Sequence, residues 1–157
     1  MVFKFNISEK SGKTFHLESE AEQVIGKNLK DKIEGKIVSP DLEGYEFEIN
    51  GMSDKAGLTA IESVEGIGLK RVLLTYGKAM HKRSRREGKK KRSNFTPYGL
   101  RLRKTVRGKI VSPEIVQINL NVLKEGNKKL VDIFPEQNKA KEVAVQPQPV
   151  QAETPAQ

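Results

Sequence analysis

The stretch IVQINLNV, residues 115–122, alternates apolar and polar side chains over almost its whole length. Successive side chains of a β-strand point to opposite faces of the sheet, so this pattern predicts a strand with one buried and one wet face. The same alternation occurs in FKFNI at 3–7 and in YEFEI at 45–49. Three such stretches in one short chain predict a mainly β protein whose strands cover a core on one side.

Four further stretches are weaker strand candidates, and glycines and Ser-Pro pairs bound them as turn signals should. They are KTFHL (13–17), KIEGKIV (32–38), KRVLLTY (70–76) and VRGKIV (106–111).

Helix signals are few. Ser19 and Glu22 have the spacing of a capping box, in which each side chain bonds the other's free backbone amide. Gly26 follows as a stop signal, and a second short helical turn is predicted near Ser53 to Ala56.

The hexapeptide GKIVSP occurs twice, at 35–40 and at 108–113, and each copy precedes an alternating segment. One interpretation is a pair of related β units, each with a strand, a Ser-Pro turn and a returning strand. The other is convergence on a convenient turn, because proline fixes its own φ and extends the preceding residue. Either way a closed or nearly closed antiparallel barrel is expected, since closure removes exposed strand edges.

The positive charge of the chain is concentrated in one segment. The net charge is +9, yet residues 78–109 alone hold fourteen Lys or Arg and one acid, a local charge of +13, and the rest sums to −4. Within HKRSRREGKKKR (81–92) eight side chains are cationic, and like charges about 7 Å apart in water repel by roughly 0.5 kcal/mol. The segment is therefore expected to meet a polyanion.

Several kinds of chemistry are disfavoured. The chain has no Cys, and neither His16 nor His81 has neighbours at metal-ligand spacing. SGKT (11–14) lacks the upstream glycine of a phosphate-binding loop, and GIGLKR (66–71) lacks the third glycine of a dinucleotide fingerprint. We predict no enzyme activity, cofactor, metal or small-molecule substrate. Because no apolar run approaches membrane-spanning length, a soluble cytoplasmic protein is expected.

Three interpretations of the basic segment compete: a basic tail or targeting signal, an anionic-membrane patch, and a nucleic-acid-binding loop. Strand candidates on both sides argue against a tail, and the lack of an apolar face argues against a membrane patch. Lys and Arg are expected to contact phosphates. The rings of Phe95 and Tyr98 either stack on unpaired bases or pack on the protein. The predicted RNA-binding residues are Lys78, Lys82, Arg83, Arg85, Arg86, Lys89, Lys90, Lys91, Arg92, Phe95, Tyr98, Arg101, Arg103, Lys104 and Arg107.

The end of the chain differs in composition from the rest. Residues 135–157 contain four of the seven prolines, five glutamines and no aromatic residue, so we expect disorder. The predicted domains are a β-rich RNA-binding domain at 1–134, with its basic loop at 78–109, and a disordered Gln/Pro-rich tail at 135–157. The fold class is mainly β: a small antiparallel barrel or two-part β domain with one or two short helices, a long basic loop and that tail.

Four motifs occur in a familiar order: GMSDKAGL (51–58), RVLL (71–74) followed by a glycine and a basic loop, RKTVRG (103–108), and IVQINLNV (115–122). In these the chain resembles the archaeal branch of the small-subunit ribosomal protein family "S-six-e", whose eukaryotic members carry a phosphorylated C-terminal tail.

The resemblance implies a β-rich, non-catalytic protein of the cytoplasmic ribosome, with small-subunit ribosomal RNA and neighbouring ribosomal proteins as partners. It implies RNA contacts from residues that match the family's basic motifs: Arg83, Arg85, Arg86, Lys89, Lys90, Lys91, Arg92, Arg103, Lys104 and Arg107. Two departures matter: SNFTPYGLR (93–101) lengthens the loop, and a Gln/Pro-rich tail replaces the basic extension of the eukaryotic members.

Two alternatives to a structural ribosomal protein stay open. A free nucleic-acid chaperone would use the same basic loop outside any large particle. A nucleic-acid-processing enzyme would need a carboxylate or histidine site beside the loop, where Glu87 is the only acid.

Overall fold

The structure, a computed structural model, describes residues 2–81 and 98–138. Over these residues the strands are β1 (Phe3–Ser8), β2 (Thr14–Ser19), β3 (Lys32–Glu34), β4 (Glu46–Asp54), β5 (Leu69–Thr75), β6 (Arg101–Arg107) and β7 (Ile115–Lys124). The α-helices are α1 (Gly35–Val38) and α2 (Leu130–Ile133), and 3₁₀ turns lie at Glu22–Val24 and Pro40–Leu42. The predicted mainly β class with short helices is confirmed.

Five strands form one mixed sheet in the order β2-β1-β7-β4-β3, and β5 and β6 form a separate ribbon. β7 runs antiparallel to β4, with Leu120 opposite Ile49, and parallel to β1, with Ile118 opposite Phe5. Within the described residues, the edge strands β2 and β3 do not pair with each other. The two-part β domain is thus confirmed, and the closed antiparallel barrel is wrong because the sheet is mixed and open.

The apolar face of the large sheet is the one that the alternation predicts. Its fully buried side chains include Phe3, Phe5 and Ile7 of β1, Phe15 of β2, Phe47 and Ile49 of β4, and Ile118 and Leu120 of β7. The helical turns cover this face with Val24, Val38, Leu42 and Leu130. Burial of each such side chain stabilises the fold by about 1.5–3 kcal/mol, so this cluster holds the domain together.

The predicted capping box at Ser19 does not form. Ser19 is the last residue of β2, and its hydroxyl donates to the backbone oxygen of Val38 at 2.8 Å. The helical segment that follows is a single 3₁₀ turn capped by Ala21, without a side-chain hydrogen bond. The helical turn predicted near residues 53–56 is also wrong, because β4 continues to Asp54 and a simple turn follows.

The two copies of GKIVSP have different backbone structures, so the interpretation as two β units that share one strand, turn and strand pattern is wrong. The first copy follows the short strand β3, and its first four residues form α1. The second copy is a loop that starts where β6 ends and forms a single bridge to Asn28. Both copies need their glycine: a Cβ would lie 2.1 Å from the Leu42 oxygen at Gly35, and 1.9 Å from the Gly66 oxygen at Gly108.

The free edge of β2 is capped by side chains from beyond α2. The His16 backbone N–H donates to Gln137 Oε1 at 2.7 Å, and Gln137 Nε2 donates to the His16 oxygen at 2.8 Å. Asn138 Nδ2 donates to the Thr14 oxygen at 2.9 Å. One amide side chain therefore pairs with the edge as a neighbouring strand would. These hydrogen bonds come from the first residues of the predicted tail, 135–157, of which residues 139–157 lie outside the described part.

Replacing Gln137 with alanine is expected to speed hydrogen exchange of the His16 amide by about 5–10-fold, because one hydrogen bond contributes about 1 kcal/mol net. Two-dimensional NMR exchange measurements give the rate directly. Gln23 is exposed and has no side-chain hydrogen bond to β2, so the control variant Gln23→Ala should leave that rate unchanged. An unchanged rate in Gln137→Ala would show that the edge is not capped in solution.

Candidate nucleic-acid interface

The ribbon of β5 and β6 displays cations on both of its faces. Alternate residues share a face, and the register therefore places Arg71, Arg101 and Arg103 on one face and Lys70 and Lys104 on the other. All five side chains are exposed. The period-two geometry of the ribbon thus spreads positive charge around it rather than along one side.

The hairpin, residues 66–113, contains the ribbon and the segment between its strands. Its described parts have no acidic residue. Residues 66–81 and 98–113 hold eight Lys or Arg and no Asp or Glu. Acids from elsewhere neutralise two of these cations, Arg107 and Lys109. The other six have no acidic oxygen within 4.0 Å among the described residues. The ribbon is a concentrated source of positive potential, suited to a polyanion.

The predicted RNA-binding residues divide into two groups. Lys78, Tyr98, Arg101, Arg103, Lys104 and Arg107 lie in the described part. Lys82, Arg83, Arg85, Arg86, Lys89, Lys90, Lys91, Arg92 and Phe95 lie outside it. Sequence reasoning missed Lys70 and Arg71, which the acid-free run from Gly66 onward would have revealed. It also described 78–109 as a loop, whereas residues 101–107 are strand β6.

Two tyrosines flank the part of the hairpin outside the described residues. Tyr98 is fully exposed, with a relative accessibility of 107%, so it does not pack on the described protein. Tyr76 is 41% exposed and contacts the His81 ring edge-on, with centroids 5.9 Å apart. Exposed aromatic rings beside cations suit stacking on unpaired bases. Tyr76 was not among the predicted residues, although its place at the end of β5 indicated it.

Arg107 has a different environment from the other predicted cations. It is 8% exposed, and its Nε donates to Asp54 Oδ2 at 3.0 Å. Its Nη1 donates to the carboxylate of Glu114, whose side chain is mostly exposed. The pair joins the end of β4 to the end of β6 and so fixes the ribbon to the large sheet. This burial argues against a phosphate contact by Arg107 and assigns it a structural role.

The ionisation of Asp54 is coupled to that contact. Burial raises the pKa of the Asp54 carboxyl, but hydrogen bonds from the Leu58 N–H and from Arg107, with the charge of Arg107, lower it more. The net pKa is below the usual 3.8. For Arg107, burial lowers the pKa and its two acidic partners raise it above the ordinary value. Both groups are therefore charged at neutral pH. Asp54 belongs to the GMSDKAGL motif, which now has a structural explanation.

A polar cleft lies between the wet face of the large sheet and the turn at residues 57–59. Its cavity is about 450 Å³, and Gly51 and Ser53 of β4 and Gln117 and Asn119 of β7 are among the residues that line it. Lys78 lines it too, and its Nζ donates to the Asn50 backbone oxygen at 3.2 Å. The alternation predicts that Gln117 and Asn119 face away from the core. The opposite wall of the cleft comes from residues distant in sequence, including Gly57, Thr59 and Lys78.

The amide side chains on this face form a chain of hydrogen bonds. Asn119 Oδ1 accepts from Asn6 Nδ2 at 2.9 Å and from Gln117 Nε2 at 3.0 Å. Asn6 Oδ1 in turn lies 2.6 Å from His16 Nδ1. The chain crosses β7, β1 and β2, so the positions of the amides in the cleft are fixed by their neighbours.

A second cavity of about 350 Å³ adjoins the polar cleft. Gly57 and Thr59 line both spaces, and Arg103 and Lys104 of the ribbon line the second. Arg103 and Lys104 of β6 therefore line a cavity that lies next to the amide-lined cleft.

No group of three or more His, Asp or Glu side chains in the described ranges could hold a metal ion. No helix in residues 2–81 and 98–138 is long and apolar enough to cross a membrane.

Comparison with known proteins identifies the family. The model of the family described as Ribosomal protein S6e matches residues 3–135. The chain belongs to the S6e family. The resemblance seen in the sequence motifs is thus confirmed. This is a family of structural ribosomal proteins, so the prediction that the chain is not an enzyme is confirmed by membership.

Relatives of this chain include archaeal proteins named small ribosomal subunit protein eS6. One from Methanococcus maripaludis is 36% identical over 127 residues, 80% of this chain and 90% of the relative. That from Methanocaldococcus jannaschii is 33% identical over 132 residues, covering 83% and 89%. That from Archaeoglobus fulgidus is 34% identical over 140 residues, covering 85% and 96%.

Proposed function

We propose that this protein is a structural constituent of the small ribosomal subunit and binds ribosomal RNA through its basic hairpin. The observation that carries the proposal is the acid-free ribbon, whose exposed cations have no acidic partner among the described residues. Membership of the S6e family and relatives named as small-subunit proteins support the choice of partner. The site of action is then the cytoplasmic ribosome, with other ribosomal proteins as neighbours, supporting translation.

Phosphate contacts supply most of the affinity in this mechanism. Each Lys or Arg that neutralises a phosphate releases a condensed counterion, which favours binding and makes it salt-dependent. Arg101 and Arg103 can grip a phosphate through two parallel hydrogen bonds, whereas Lys104 contributes a point charge. The cations of residues 82–92, which lie outside the described part, add eight further positive charges between the strands. The large sheet serves as the rigid base from which the hairpin is presented.

Aromatic stacking adds contacts to unpaired bases. Tyr98 and Tyr76 are exposed near the cations, and stacking on an aromatic ring is worth about 1–3 kcal/mol per base. Arg107 does not take part in RNA contacts in this proposal; it keeps the ribbon attached to the sheet.

Sedimentation tests the proposed assembly. When cell extract is centrifuged through a sucrose gradient, we expect the tagged full-length chain to co-sediment almost entirely with the small-subunit fractions. A charge-only association would dissociate in high salt, so the gradient is repeated at raised salt with purified subunits. Recovery mainly at the top of the gradient, bound to assorted RNA, would contradict the proposal and favour a free nucleic-acid chaperone.

A further inference from the structure

The polar cleft between β4, β7 and the 57–59 turn has the size of a small-ligand site. Its volume of about 450 Å³ lies within the ~300–1,000 Å³ typical of such sites. A paired and stacked duplex does not enter a cavity of this size, whereas one nucleotide turned out of its strand does. The dimensions therefore select a single nucleotide unit rather than a helix.

The lining of the cleft favours a polar ligand that carries negative charge. Among the described residues that line it none is acidic, and Lys78 is the one with a charged side chain. Amides and hydroxyls make up most of the remaining polar groups, including those of Ser53, Thr59 and Asn119. Such a lining gives a metal ion no carboxylate ligand, but it offers hydrogen bonds to a base and a cation to a phosphate.

Two amide groups in the cleft have unused hydrogen-bonding capacity. Asn119 uses Oδ1 twice, in bonds with Asn6 and Gln117, which leaves its Nδ2 without a partner among the described residues. Gln117 uses only Nε2, so its Oε1 has no partner in residues 2–81 and 98–138. A Cβ at Gly51 would come within 3.4 Å of Asn119 Nδ2, so glycine leaves this donor uncovered. An adjacent donor and acceptor match the edge of a nucleobase, which presents both.

The adjoining cavity supplies a route for the sugar-phosphate backbone. It shares the wall of Gly57 and Thr59 with the cleft and is lined by Arg103 and Lys104. A strand that places a base in the cleft therefore meets Lys78 in the cleft itself and Arg103 and Lys104 in the adjoining cavity.

We propose that this cleft holds one unpaired nucleotide of the bound RNA, with its base against Gln117 and Asn119 and its phosphates at Lys78 and the second cavity. The inference rests on the proposed function for its RNA partner, and it adds base recognition. Exposed cations alone position an RNA without reading its sequence, so this site would fix the register of the protein on the RNA.

NMR titration of the full-length, ¹⁵N-labelled chain tests the site without the ribosome. The probes are the four ribonucleoside monophosphates, each added separately, and inorganic phosphate as the comparison. The side-chain NH₂ signals of Gln117 and Asn119 report directly on the cleft. We expect saturable shifts of both signals with nucleotides, a preference for one base, and no such shifts with inorganic phosphate.

A matched pair of variants separates the cleft from the rest of the wet face. Gln117→Met keeps the length of the side chain but removes the amide, and it should weaken binding of the preferred nucleotide about tenfold. Asn121→Leu removes an amide from the same face of the same strand, outside the cleft, and should leave that affinity unchanged. Backbone spectra of both variants confirm that the sheet is intact.

The outcomes for the cleft and for the proposed function are distinguishable. Equal responses to nucleotides and inorganic phosphate, or wild-type affinity in Gln117→Met, would overturn the nucleotide site even if the chain sediments with the small subunit. Nucleotide-specific shifts that depend on Gln117, in a chain that never sediments with that subunit, would support the site and overturn the proposed function.

Discussion

Replacing Arg101, Arg103 and Lys104 together with alanine is expected to weaken binding to small-subunit RNA by about 100-fold or more at physiological salt. Each lost contact removes a charge-assisted hydrogen bond worth about 1.5–3 kcal/mol. The slope of log affinity against log salt should also fall by about 2–3, since each phosphate contact contributes about 0.7–0.9. Filter binding or fluorescence anisotropy at several salt concentrations measures both quantities. Because the three side chains are exposed, the melting temperature should stay nearly constant.

The control removes the same charge elsewhere. Lys10, Lys13 and Lys128 are exposed, make no side-chain hydrogen bond or ion pair with described residues, and lie outside the hairpin. Alanine at these three positions changes the net charge equally and should leave both affinity and slope near wild type. Equal losses in the two triple variants would show that only net charge matters. A wild-type slope in the ribbon variant would contradict direct phosphate contact by β6.

Residues 82–92, which connect β5 to β6 in the sequence, provide a second, independent set of cations. Alanine at Arg85, Arg86, Lys89 and Lys90 should likewise weaken RNA binding and flatten the salt dependence with little effect on thermal stability. If binding were insensitive to salt, the electrostatic mechanism would be wrong for the whole hairpin.

Replacing Asp54 with alanine is expected to destabilise the fold by about 3–5 kcal/mol, because it leaves Arg107 buried with only its exposed partner Glu114. For a domain of this length that corresponds to a fall in melting temperature of about 10 °C or more. The Leu58 N–H loses its acceptor in the same variant. Calorimetry or thermal circular dichroism measures the change.

Three comparisons identify the origin of that loss. Glu114→Ala removes the exposed partner of Arg107 and should cost no more than about 1 kcal/mol. The double variant Asp54→Ala with Arg107→Ala should lose less than the sum of the two single variants, because the pair is already broken in each. A melting temperature for Asp54→Ala within a degree of wild type would contradict a supporting role for the pair.

The pKa of Asp54 makes the same contact depend on pH. Its carboxyl has a lower pKa in the folded protein than the ordinary 3.8 of the unfolded chain. Its stabilisation is therefore complete above about pH 4 and declines as the pH falls below the unfolded value. Wild type should lose stability more steeply in that acidic range than Asp54→Ala, which lacks this group.

The strands could be predicted from the sequence because a sheet with one wet face leaves a period-two pattern. Residues 3–7, 46–49 and 115–122 lie in strands as expected, and their core-facing apolar side chains are buried. Strand order could not be predicted, because alternation does not say which strands pair or in which direction. The parallel pairing of β1 and β7 joins residues 113 positions apart, and nothing local in either strand encodes it.

Local signals failed where tertiary contacts compete with them. Ser19 has a capping partner at the right spacing, but the backbone oxygen of Val38 takes its hydroxyl. The repeated GKIVSP folds in two ways because the two copies have different surroundings. In both copies the glycine allows a close approach of another backbone segment. Arg107 looked like one more cation of a basic run, and its partner Asp54 lies 53 residues away. The polar cleft likewise depends on walls from distant segments.

The position of β7 has a consequence for the newborn chain. It is the last of the described strands to be made, yet it lies between β1 and β4, so the β1–β2 and β3–β4 pairs share no sheet until residues 115–124 are translated. An isolated hairpin is marginally stable in water, and pairings between distant residues form slowly. Every cation of the hairpin is thus synthesised before the core can close. A message cut short before codon 115 would encode a product with two uncovered apolar surfaces, prone to aggregate.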